Sequence, residues 1–168
     1  MKKDYYMNIY KTLYKDNDTN IIKLIYRIMF NDNLKAHILF YKMYESKSKF
    51  RKQLYYNKLQ RKYSMLIAKN AKIGENILFA HLNGIVIGEG SIIGDNCIIY
   101  HQVTIGQKDN KYPKIGNNVI IYPGAKIIGD IIIGNNVVVG ANSVVTKSIP
   151  DNCIVAGVPA KIIKKISE

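Results

Sequence analysis

The 168-residue sequence predicts a mainly β fold, a parallel β-helix preceded by a small α-helical region. Three observations predict it. After residue 65, apolar residues recur every six positions. Glycine often follows them at once. Before residue 66, glycine and proline are absent and apolar residues fall at three- and four-residue spacing.

The first part, residues 1–65, reads as helices. Ile21, Ile22, Leu24, Ile25, Ile28 and Met29 mark one apolar face, at the spacing that places residues on one side of a helix. Asn17, Asp18 or Thr19 would cap it, and Asn31 to Asn33 would end it. A second helix is predicted over about 34–46 and a third, strongly basic one over about 48–62. Ten of the 13 tyrosines lie in this part, suited to half-buried faces where the ring packs and the hydroxyl stays wet. His37 fits a half-buried packing role here.

Residues 66–168 form the second part, a β-helix domain ending in a tail. The six-residue positions are Ile73, Phe79, Ile87, Ile93, Ile99, Ile105, Ile115, Ile121, Ile127, Ile133, Val139 and Val145. Four places after most of them comes a small or β-branched residue: Ser91, Cys97, Val103, Val119, Ala125, Ile131, Val137 or Ser143. Such a period is neither the roughly 3.6 of a helix nor plain strand alternation. It fits a short strand plus a tight turn, three of which close one triangular coil of about 18 residues. Aliphatic side chains would stack inward, and the pairs Asn117–Asn118 and Asn135–Asn136 suit the turns. Cys97 occupies a small inward slot and reads as core. With only Cys153 as a second cysteine, there is no disulfide framework.

The repeat slips twice. Phe79 to Ile87 is eight residues, and Ile105 to Ile115 is ten. A solenoid accommodates extra residues as surface loops, where function concentrates. The first slip holds Ala80, His81, Leu82, Asn83 and Gly84; the second runs from Gln107 to Pro113. The Phe79 and Ile99 units lie three apart, so His81 and His101 should be neighbours on successive coils at about the 4.8 Å strand spacing. Pro123 follows in that column.

Composition bounds the rest. The net charge is +13, of which +10 falls on residues 1–65. That balance favours an anionic partner, and peripheral contact of the first part with an anionic membrane face is expected. No apolar run reaches the roughly 18 residues of a membrane span, and the N-terminus lacks signal-peptide character. A cytoplasmic location follows as the expectation. A catalytic zinc wants three protein ligands, and no carboxylate has ligand spacing to His81 or His101, so no metal is expected. There is no phosphate loop, no Ser-His-Asp order and no nucleic-acid motif.

The stretches 81–88 (HLNGIVIG), 103–106 (VTIG), 112–116 (YPKIG), 123–127 (PGAKI) and 156–161 (AGVPAK) resemble the hexapeptide-repeat acyltransferases. The likeness is to the serine acetyltransferase branch, which includes bacterial polysaccharide O-acetyltransferases, and it covers residues 66–164. The resemblance implies a left-handed β-helix, a homotrimer, and acetyl-CoA as cosubstrate in a groove between subunits. It implies that His81 is the general base, taking the acceptor's hydroxyl proton as that oxygen attacks the thioester. Imidazole chemistry near neutral pH suits this role. Backbone N–H groups of the wall would stabilise the oxyanion. Gly106, Gly124, Ala125, Gly140 and Ala141 would border the pantetheine arm. Ala156, Gly157, Pro159 and Lys161 would cover the adenine end, with Lys161 facing phosphate.

The sequence departs from serine-using members at three places. Ala80 stands where an aspartate precedes the catalytic histidine. Lys111-Tyr112 replaces an Arg-His pair. Met65-Leu66-Ile67 stands where a base-orienting aspartate is held. These departures predict a sugar hydroxyl of a surface polysaccharide, or its precursor, as acceptor. Asn83, His101, Gln102 and Tyr112 would contact it through hydrogen bonds and stacking. The alternatives are a serine O-acetyltransferase of cysteine biosynthesis, an enzyme acetylating another small molecule, and a non-catalytic trimeric scaffold.

Overall fold

The computed structural model describes Tyr26 and residues 29–166. The predicted first helix falls chiefly outside the described residues; Tyr26, Met29 and Phe30 are helical. Two helices follow. Helix α1 spans Asp32–Glu45 and helix α2 spans Lys49–Tyr63. Asn31 and Ser48 cap their starts by accepting the Leu34 and Arg51 N–H groups, as short polar side chains do at an N-cap. Asn31, read from sequence as the end of one helix, is thus also the start of the next. Ser64 closes α2 in the left-handed conformation, φ 52°.

The rest is a parallel β-helix with three faces. Face A stacks β1 (Leu66–Ile67), β4 (Val86–Ile87), β7 (Thr104–Gly106), β10 (Lys126–Ile128) and β13 (Val144–Val145). Face B stacks β2 (Lys72–Ile73), β5 (Ile92–Ile93), β8 (Lys114–Ile115) and β11 (Ile132–Ile133). Face C stacks β3 (Leu78–Phe79), β6 (Ile98–Ile99), β9 (Ile120–Ile121), β12 (Val138–Val139) and β14 (Cys153–Gly157). A final strand, β15 (Ala160–Lys165), turns back antiparallel on β14.

Each of β1 to β13 contributes its second residue to the interior, and all twelve six-residue positions named above are buried. The small slots are buried as well, including Cys97 and the polar Ser91 and Ser143. Burial pushes the Cys97 thiol up to about 11, which keeps it an unreactive core group. Asparagines at the corner from face B to face C take the left-handed turn conformation and bond one another between coils: Asn76 to Asn96, Asn118 to Asn136, and Asn136 to Asn152.

A third irregularity accompanies the two slips. Ile149 bridges to Ile133 only four residues after Val145, so the last coil is two residues short at its corner from face A to face B. No glycine or apolar cue marks this shortening in Thr146-Lys147-Ser148. Among the described residues no helix is long and apolar enough to cross a membrane.

Candidate active site

The corner from face C to face A carries His81, His101, Pro123 and Ala141 on successive coils. Backbone bonds stack these turns: Gln102 N–H to Asn83 O (2.8 Å), Gly124 N–H to His101 O (3.0 Å), and Asn142 N–H to Pro123 O (2.8 Å). The two histidine rings meet edge to face with centroids 5.5 Å apart. Ala80 N–H donates to Ile99 O as Tyr100 N–H does to Ile121 O, and Asn83 O accepts from Gln102 N–H as His101 O does from Gly124 N–H, so the two extra residues are His81 and Leu82. Leu82 folds back against the core, while His81 stays exposed and Asn83 takes the backbone place that His101 holds on the next coil. The slip therefore displaces His81 from the hexad place that counting gave it: the histidine stands in the bulge, and its ring reaches that of His101 from there.

Asn83 and Gln102 lie at this corner, both exposed. Nδ1 of His101 is buried and has no hydrogen-bond partner among the described residues. Two aromatic residues that sequence reasoning missed complete the column. Tyr100 packs 5.9 Å from the His81 ring and stacks on Tyr122 at 5.2 Å. Both hold the second place of their hexads, a signal that counting could have found. Lys126, also missed, begins β10 and its Nζ donates to the Gln102 carbonyl at this corner.

Tyr112 is not brought to His81 within one chain. The loop 107–113 leaves face A toward face B, so it occupies the opposite edge of face A. There the Tyr112 ring covers Gly88 and Gly90, where a Cβ would fall 2.6 and 2.4 Å from it. Lys111 pairs with Asp130 at 2.9 Å on the outside of the same corner. The sequence reading joined Tyr112 to the histidines without following which turn of the triangle each slip interrupts.

The expected cofactor contacts divide too. Gly106 lies at the far edge of face A beside Ile128. Ala125 is fully buried in the coil interior, so it offers no side chain to a ligand. The space a Cβ would need on Gly124 is taken by Asn142, and on Gly140 by Ala156; close stacking of coils accounts for both. Ala141, Gly157, Pro159 and Lys161 are exposed along the His81 corner and the β14–β15 hairpin.

A family model, bacterial transferase hexapeptide (six repeats), matches residues 112–147. The serine acetyltransferase of Synechococcus elongatus is 44% identical over 101 residues, 58% of this chain and 41% of that protein. That of Staphylococcus aureus strain Mu50 is 39% identical over 135 residues, 77% of this chain and 63% of that protein. The chain thus spans between two fifths and just under two thirds of these relatives. Among solved structures, serine acetyltransferase from Brucella abortus strain S19 superposes with a TM-score of 0.82 at 28% identity, covering 99% of this chain and 70% of that one. A serine acetyltransferase complex with CoA gives 0.76 at 32%, covering 92% and 66%.

These relatives overturn the expected sugar acceptor. That expectation rested on charged residues absent from three sequence positions. A small zwitterion can be held by charges supplied from elsewhere on the same corner, so the absence did not decide the acceptor.

Proposed function

We propose that this chain, a hexapeptide-repeat β-helix of the serine acetyltransferase type, transfers the acetyl group of acetyl-CoA to the hydroxyl of serine. His81 takes the hydroxyl proton as the serine oxygen adds to the thioester carbonyl. The tetrahedral intermediate collapses by breaking the C–S bond, and the imidazolium returns the proton to the CoA sulfur. A base within hydrogen-bond reach typically contributes about a hundred- to ten-thousand-fold in rate. The observation that carries this reading is the exposed His81 at a bulged corner, ring to ring with His101. The serine acetyltransferase relatives support serine as acceptor.

Serine's carboxylate needs a cation. Lys126 reaches the corner and holds a carbonyl there, so it is the group we assign to that task. We read the active form as a homotrimer, because His81 and Tyr112 flank opposite edges of face A and meet only between subunits. Release of CoA from acetyl-CoA, followed with and without L-serine, tests the reaction. No serine-dependent release would overturn it.

We further read α2 as a surface for anionic lipid headgroups. It carries six Lys and Arg and no acidic residue, and Phe50 and Leu54, one turn apart, are exposed at 72% and 50%. Exposed apolar groups among basic ones suit a membrane interface. Flotation with phosphatidylglycerol vesicles at low salt checks this; no binding there would end the reading.

A further inference from the structure

β3 is the first strand of face C, and among the described residues no coil lies beneath it. Interior strands bond to coils on both sides, as β6 does when Leu78 N–H donates to Cys97 O and Ile98 N–H to Val119 O. On the open side of β3, helix α1 substitutes for the missing coil. Nε2 of His37 accepts the Phe79 N–H at 2.9 Å. Nδ2 of Asn33 donates to the Ala80 carbonyl at 3.0 Å. Asn33 and His37 are four residues apart, so they lie one helical turn apart on one face. On the same helix, the Tyr44 hydroxyl accepts the Ile73 N–H of face B at 3.0 Å.

The partners of His37 fix its tautomer. Its Nδ1 lies 2.7 Å from the Asn33 carbonyl, which can only accept, so Nδ1 carries the proton. Its Nε2 faces a backbone N–H, which can only donate. The ring is fully buried, packed against Phe79. The far end of the bulge is held as well, by Gly84 N–H to Ser64 O (3.1 Å) at the end of α2.

We propose that Asn33 and His37 are positioning residues for His81. They fix the backbone one and two residues before it, and so aim an exposed imidazole that lies on the edge coil, where a strand would otherwise fray. The proposal rests on His81 as the general base. Misplacing a reacting group by about 1 Å can cost on the order of a hundredfold in rate.

The test uses the full chain with Asn33→Asp, His37→Phe and His37→Gln. Asn33→Asp keeps an acceptable residue in the first turn of a helix, but sets an acceptor against the Ala80 carbonyl. His37→Phe removes both ring bonds, and His37→Gln restores an acceptor for Phe79. We expect kcat to fall about tenfold or more in the first two and to recover in part in the third, an effect well inside the range set by such misplacement. The Kd for acetyl-CoA should stay within about twofold, since these residues hold only Phe79 and Ala80, from the helix side. The chain has three histidines, so the His81 ring resonance is assignable by its loss in His81→Ala. It should shift or broaden in Asn33→Asp and His37→Phe. Folded variants with wild-type kcat and an unmoved His81 resonance overturn the proposal. If wild type shows no serine-dependent turnover, the base reading fails. The resonance alone then decides: a moved His81 signal supports positioning, an unmoved one overturns it. If His37→Phe does not fold, Asn33→Asp and His37→Gln carry the same comparison.

Discussion

The His81 and His101 rings stand 5.5 Å apart, edge to face, on successive coils, although two extra residues separate their hexads. The insertion is His81 and Leu82: Asn83 takes the backbone place of His101, and the His81 ring reaches the His101 ring from the bulge. One histidine is exposed and the other holds a buried, unpaired Nδ1, so the two are expected to differ in role.

His81→Ala is expected to lower kcat by about a hundred- to ten-thousand-fold, the usual cost of losing a general base. The fold should survive, because the side chain lies outside the core. His101→Ala should act mainly on the KM for serine. Steady-state kinetics with circular dichroism checks both, and a larger kcat loss in His101→Ala would reverse the roles.

Lys126→Ala removes the cation assigned to the serine carboxylate. A hydrogen bond to a charged group is worth about 1.5–3 kcal/mol, so the KM for serine should rise roughly ten- to a hundredfold. The KM for acetyl-CoA should stay near wild type. Equal rises in both would place Lys126 in cosubstrate binding instead.

His37 links stability to pH. Burial lowers its pKa from 6.5 to about 4, against a smaller opposing effect of its bond to the Asn33 carbonyl. Between those values the unfolded chain binds a proton that the folded chain does not. Stability therefore falls as pH drops from about 6.5 to about 4, by at most about 3 kcal/mol from this group. Denaturant midpoints at pH 7, 5.5 and 4.5 should fall more steeply in wild type than in His37→Gln. Parallel slopes would refute the linkage.

Gly124 sits at φ +73°, and a Cβ there would lie 2.0 Å from Oδ1 of Asn142. Gly124→Ala should cost about 1–3 kcal/mol through backbone strain and displacement of Asn142. Lys111→Ala, which breaks an exposed pair with Asp130, should leave stability near wild type, because solvent screens such a pair. Thermal unfolding of the two variants side by side checks the ranking.

The sequence by itself determined the β-helix, its inward residues and the corner that carries both histidines. Each coil repeats the one before, so sequence distance converts directly into stacking distance. That is why Phe79 and Ile99 could be paired by counting, whereas His81, inside the bulge, falls outside the count. The helices over 34–46 and 48–62 were also legible and lie within two residues of α1 and α2. Only the tertiary structure decided what counting could not reach. The shortened last coil carries no residue signal. Tyr112 falls on the far edge of face A because closing the triangle, not hexad spacing, sets which corner a loop leaves. The hold of Asn33 and His37 on Phe79 and Ala80 joins residues 47 and 42 positions apart. It arises because the first strand of a stack has an open edge whose N–H and carbonyl groups must find partners, and the nearest helix supplies them.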